Sequence, residues 1–211
     1  MICLSEKAYC ENVRKSHGKF LRSFGHFQYL LVLLPFLVSC SDYSPKPTGY
    51  FRIDLPTPVY SSVDTFPCFQ MDISNQARIV SLPSEDEAIL FNIDYPSLNA
   101  QIHISYLPVK KDELTQLTEH SRTFVYRHAI KADAINERVY QNPEQKVYGM
   151  IYNIEGNVAS HIQFFLTDSV HSFFRGALYF NSVPNQDSIT PVLKYINQDI
   201  EILIENFQWK R

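Results

Sequence analysis

The sequence predicts an α+β domain, a largely antiparallel sheet flanked by two long helices. Three observations point there. Apolar residues switch several times between a period of two and one of about 3.6, the spacings of strand and helix. Four strand-like segments follow one another between residues 134 and 181 with only turn chemistry between them, as hairpins require. A helical stretch precedes that run and another closes the chain, so helices are available to cover the sheet.

The first strands are read at residues 76–82 and 88–94, separated by the acidic turn Pro83-Ser84-Glu85-Asp86-Glu87. Residues 100–106 alternate cleanly, with Ala100, Ile102, Ile104 and Tyr106 on one face, the pattern of a half-buried strand. Over residues 112–130, Leu114, Leu117, Ser121, Phe124, Val125, His128 and Ala129 recur at three- and four-residue steps. A helix capped by Asp112 would turn that face inward. Strands then fall at 134–141, 146–154, 158–167 and 172–181, the first two joined through Asn142-Pro143-Glu144 and the next pair through Glu155-Gly156-Asn157. The closing helix starts at Asp187 or Ser188, with Pro191 in its first turn, where no N–H is needed. Ile189, Val192, Leu193, Ile196, Ile200, Leu203, Ile204 and Phe207 line one face of it. This order of elements resembles the PsbP/Mog1-like α/β/α arrangement.

The first forty residues differ from the rest. Arg14, Lys15, Lys19 and Arg22 precede the uncharged run YLLVLLPFLV at residues 29–38. Ten apolar residues containing Pro35 cannot cross a hydrocarbon core that needs about twenty, so the segment reads as a signal peptide rather than a membrane span. The stretch before Lys15 carries Cys3, Glu6, Cys10 and Glu11, which is unlike an n-region and points to translation starting further downstream. Leu37-Val38-Ser39-Cys40 resembles the lipobox of bacterial lipoproteins, with small Ser39 before the cysteine. The resemblance implies cleavage after residue 39 and a diacylglyceryl group and N-acyl chain, such as palmitate, on Cys40. Two chains suffice for stable anchoring at roughly 0.8 kcal/mol per buried methylene. Three regions follow: residues 1–39 as signal, residues 40–56 as lipidated cysteine and proline-rich extended stalk, and residues 57–211 as one globular domain.

Loss of residues 1–39 removes five basic and two acidic residues, leaving 14 basic and 20 acidic, a net charge of about −6. A nucleic-acid partner is not expected. Cys68 is the one cysteine left beside Cys40, so no disulfide framework exists. The sequence has no Gly-x-Ser-x-Gly elbow, phosphate-cradling glycine loop, His-Glu-x-x-His or Cys-x-x-Cys. His120 and His128 stand eight apart on the first helix, about 12 Å of rise, too far to share a metal. No catalytic residue, metal or cofactor is expected beyond the lipid on Cys40.

Several ordered blocks carry a family resemblance. Tyr43-Ser44-Pro45-Lys46-Pro47-Thr48-Gly49-Tyr50-Phe51-Arg52-Ile53-Asp54-Leu55-Pro56 is one, and His128-Ala129-Ile130-Lys131-Ala132-Asp133-Ala134-Ile135 is another. Gln163-Phe164-Phe165-Leu166-Thr167-Asp168-Ser169 and Phe174-Arg175-Gly176-Ala177-Leu178-Tyr179-Phe180-Asn181 continue it. They resemble the gliding-motility lipoprotein GldD family, with a departure at Thr48, where a basic residue is expected before Gly49. The resemblance implies a role in the gliding machinery and the linked type IX secretion system, without catalysis, and other proteins of that machinery as partners. It implies a place in the cell envelope, on the inner or outer membrane, with the domain in the periplasm.

Two groups are candidate partner contacts. Tyr50, Phe51, Arg52 and Asp54 form an edge strand or docking segment between Pro47 and Pro56. Arg175 interrupts an apolar strand, where a charge needs a partner. The favoured reading is an ion pair with Asp168 or Asp133, the other a ligand or partner contact. Lys131, Asp133 and His128 at the end of the first helix read as structural. Two classes of function remain: a tethered, non-catalytic assembly or stability factor, and a small-ligand or cell-wall-binding module, hydrolytic or not. An exposed aromatic surface favours the first; a deep pocket with convergent carboxylates and histidine favours the second.

Overall fold

The computed structural model describes residues 54–84, 87–110, 113–127, 131–181 and 186–210. Its strands are β1 (Tyr60–Val63), β2 (Phe69–Ser74), β3 (Arg78–Leu82), β4 (Ile89–Tyr95), β5 (Ala100–Pro108), β6 (Ala132–Asn142), β7 (Val147–Gly156), β8 (Ser160–Thr167), β9 (Ser172–Phe180) and β10 (Gln208–Trp209). Helix α1 (Leu114–Tyr126) follows β5, and α2 (Gln186–Glu205) follows β9. Seven strands form one sheet in the order β3-β4-β5-β9-β8-β7-β6, and β1-β2-β10 form a small second sheet. Every pairing is antiparallel. The fold is α+β, and the small sheet was not expected from the sequence.

Alternation sorts the large sheet into two faces. On one, Phe91, Ile93 and Tyr95 of β4, Ile102, Ile104 and Tyr106 of β5, and Phe174 and Leu178 of β9 pack with Ile196, Ile200, Leu203 and Ile204 of α2. Phe69 and Met71 of β2 enter the same core. On the other face, Val125 of α1 packs with Tyr152, Ile154 and Val158. The two helices therefore lie on opposite faces.

Local chemistry explains the turns. Asp168 Oδ1 accepts from the backbone N–H of Val170, His171 and Ser172 at 2.9, 2.7 and 2.9 Å, closing the β8–β9 hairpin around Ser169, whose φ is 68°. Gly156, at φ 112°, allows the tight approach of β7 to the start of β6, where the register shifts between Ala132 and Ala134. Gly176 of β9 faces the Phe164 ring so closely that a Cβ there would stand 2.3 Å from a ring carbon.

Some expectations are corrected. Helix α1 ends at Tyr126 and has 13 residues, shorter than the span of 112–130 read from periodicity. It buries only Ser121 and Val125, and Phe124, expected inside, is 45% exposed. The position of Asp112 as a cap lies outside the described residues. Because α2 begins at Gln186, Pro191 sits in its second turn rather than its first. There its missing N–H forgoes a helical hydrogen bond.

A buried carboxylate ties β1 to α2. Asp199 is 3% exposed, and its Oδ1 accepts from the Tyr60 hydroxyl at 2.7 Å, while Oδ2 has no partner in hydrogen-bond geometry. Burial pushes the Asp199 carboxyl above its ordinary value, opposed by the Tyr60 hydrogen bond and by the neighbouring Tyr95 and Ser74 hydroxyls. The folded state thus holds a proton more tightly than the unfolded chain. Its stability falls as pH rises from the ordinary aspartate range through the raised value. Asp199→Asn keeps an acceptor for Tyr60 and removes the charge. Thermal melts should show a higher Tm for the variant at neutral pH, a gain that shrinks as pH falls through the raised value and is lost once it reaches the ordinary carboxylate range. Each kcal/mol appears as roughly 2–4 °C in a chain of this size. Gly176→Ala, by contrast, should cost about 1–3 kcal/mol in urea unfolding by overpacking against Phe164.

Candidate functional site

The face of the large sheet that carries α1 is built in transverse rows. One row crosses four strands as Asn92, His103, Ala177 and Gln163, fixed by the pairings Asn92↔His103, His103↔Ala177 and Gln163↔Ala177. The next row places Ser105, Arg175 and Phe165 side by side. Tyr179 follows two residues beyond Ala177, and its ring meets His103 edge-on at 4.9 Å. Burial lowers the His103 pKa, favouring the neutral ring. This face is therefore polar and aromatic where the opposite face is apolar.

Arg175 is the cation of the site. Its Nη2 donates to Gln163 Oε1 at 2.8 Å, and its guanidinium lies 5.0 Å from the centre of the Phe124 ring. Burial pushes the guanidinium below its ordinary pKa, partly opposed by Tyr179. Asp168 is committed to its own turn and Asp133 is exposed on β6. The ion pair expected with either is replaced by an amide and an aromatic ring. Gln163 is 2% exposed, and its Nε2 has no hydrogen-bond partner among the described residues. The amide orientation is set by Arg175, since only its oxygen can accept from a guanidinium.

The residue that caps the C-terminus of helix α1 adds a second cation to the same ring. Arg127 sits 5.1 Å from the Phe124 centre, and Arg122 lies 5.5 Å from that of Tyr126. The Tyr126 hydroxyl donates to Glu137 of β6 at 2.6 Å. Phe124 and Tyr126 remain 45% and 43% exposed. Glu119, Arg122, Thr123, Tyr126 and Arg127 line an open groove of about 410 Å³ along the helix. Ring–cation contacts of this kind are worth about 0.5–1 kcal/mol when exposed and more when desolvated. They bias the exposed aromatic rings toward this pose.

Of the sequence-predicted site residues, Arg175 belongs to this surface. Asp54 is exposed at the start of the described residues, whereas Cys40, Tyr50, Phe51 and Arg52 lie outside them, as does His128. Among the described residues no group of three or more His, Cys, Asp or Glu is arranged to hold a metal, and no helix is long and apolar enough to cross a membrane. Phe124, Arg127 and Gln163 were missed as site residues. For Phe124 and Arg127 the signal was their three-residue step, the spacing at which helix side chains meet; Gln163 had none.

Removing the Arg175 fork should expose its dependence on Gln163. Arg175→Met leaves a buried amide unpaired and should cost about 1–3 kcal/mol in urea unfolding. In the double variant with Gln163→Leu, much of that cost should return, giving a coupling of about 1 kcal/mol or more. Strictly additive losses would contradict the pairing.

A family model described as gliding motility lipoprotein GldD matches residues 40–209. No curated protein matches the chain.

Proposed function

The chain belongs to the gliding motility lipoprotein GldD family, and from that membership we propose that it is a lipid-anchored, non-catalytic assembly or stability factor of the gliding machinery and its linked type IX secretion system. The family match over residues 40–209 carries the reading. It begins at Cys40, the residue proposed to bear the diacylglyceryl and N-acyl chains after removal of residues 1–39. Residues 41–56 then serve as a stalk that includes a docking segment at Tyr50, Phe51, Arg52 and Asp54. The domain beyond it works in the periplasm, held to the inner or outer membrane, and its partners are other proteins of the machinery.

The α1 face supports a role in binding proteins rather than in turnover. It presents exposed Phe124 and Tyr126 beside an open groove. Exposed aromatic rings beside arginines match the composition of protein interfaces, where Tyr, Phe and Arg are enriched. His103 meets Tyr179 rather than a carboxylate, which gives it no partner for acid–base work in this arrangement. Helices on opposite faces of an antiparallel sheet also support the PsbP/Mog1-like α/β/α arrangement, which is proposed as the fold type.

Two measurements test the reading together. The tagged protein, solubilised gently from its own cells, should co-purify gliding or type IX secretion proteins. Cys40→Ala should lose palmitate incorporation and leave the membrane fraction. A folded, abundant bait that recovers none of those proteins would overturn the assembly role, and palmitate on the Cys40→Ala protein would overturn the anchor.

A further inference from the structure

We infer that Arg175 and Arg127, which each contact the Phe124 ring, form a receptor surface for an acidic segment of a protein partner. This rests on the assembly reading and names the chemistry of the partner. The residues proposed for the mature chain carry an excess of acidic groups, yet this corner of the domain gathers Arg122, Arg127 and Arg175 around two exposed aromatic rings. Arg122 has Glu137 and Glu119 nearby. Among the described residues neither Arg127 nor Arg175 has an ion pair, in contrast to Arg78, Arg138 and Lys210, which pair with Asp94, Glu201 and Asp64.

A half-buried guanidinium without an anion is costly, because burial removes water without supplying an opposite charge. Gln163 satisfies one amino nitrogen at 2.8 Å and holds the plane of the fork. An incoming carboxylate would meet the remaining donors with its own planar geometry, the pairing for which Arg is best suited. Gln163 itself is 2% exposed and its Nε2 has no partner among the described residues, so no second hydrogen bond draws the amide away from the fork. Phe124, nearly half exposed, supplies apolar area beside the charge. That combination favours an acidic, partly apolar protein segment over a layer of lipid phosphates, which is attracted by spread-out, freely solvated cations.

The test titrates the full-length lipoprotein in detergent micelles with acetylated hexaglutamate at low salt, and in parallel with dihexanoyl-phosphatidylglycerol. Hexaglutamate should bind. Its affinity should fall about fivefold or more in Arg175→Gln and in Arg127→Gln, and stay unchanged in Arg138→Gln, whose partner is Glu201. Arg127 lies at the exposed helix end, so its variant keeps the test decisive if Arg175→Gln melts early. Equal hexaglutamate binding by wild type and Arg127→Gln overturns the inference, and so does a preference for the phospholipid at this site. In cells, Arg175→Gln should lower co-purification of motility proteins. Undiminished recovery sinks this receptor and leaves the assembly reading standing, whereas no recovery even by wild type sinks the assembly reading itself.

Discussion

Phe69 is the joint on which the two sheets depend. It is fully buried, and its ring centre lies 4.8 Å from Phe66, 6.2 Å from Phe91, 5.5 Å from Tyr106, 5.2 Å from Phe174 and 5.6 Å from Phe207. These partners come from the connection before β2, from β4, β5 and β9, and from Phe207 between α2 and β10, so one side chain couples the small sheet, the large sheet and the C-terminal segment. Each such ring pair adds about 0.5–1.5 kcal/mol beyond the apolar area it buries. The C-terminus is fastened to the same joint: β10 pairs with β2, and the Lys210 N–H donates to Cys68 at 2.9 Å.

Concentrating the apolar residues on that side leaves the other face of the large sheet free for polar chemistry. Helix α1 covers part of it with a small apolar contact through Val125. Arg175 illustrates the consequence, because a strand residue on the closed face could not keep a charge at this position, whereas on the α1 face it finds Gln163 and Phe124. The same division puts Asp199 on the closed side, where it is held by Tyr60 and raised in pKa by burial. One face is thus organised around apolar packing and the other around polar and aromatic side chains.

Much of this was legible in the sequence. The alternation of Ala100, Ile102, Ile104 and Tyr106 identified β5 because a half-buried strand has a strict period of two, and the stripe from Ile189 to Phe207 identified α2 for the corresponding helical reason. The small sheet was not legible: β1 and β10 have four and two residues, too few to show a period, and β2 follows directly on Pro67 and Cys68. Phe124 shows a second limit. Helical spacing placed it on the inward face, but α1 is short and sits on the sheet through Ser121 and Val125, leaving Phe124 at the rim. For Arg175 the sequence required a partner but could not name Gln163, which reaches it only after a register shift between Ser160 and Gln163.

In a gliding motility lipoprotein of this family, the α1 face and the long edge strand β6 are two rival surfaces for a partner. Strand β6 has 11 residues, pairs among the described strands only with β7, and exposes Val139 to 60%. An open edge can recruit another strand, although Glu137 and Arg138 place charge on it. Photo-crosslinking in living cells separates the two most directly, with benzoylphenylalanine placed at position 124 in one strain and at 139 in another. The account predicts a discrete protein adduct from position 124 and little from 139. Adducts from 139 alone would contradict it and move the docking surface to the sheet edge.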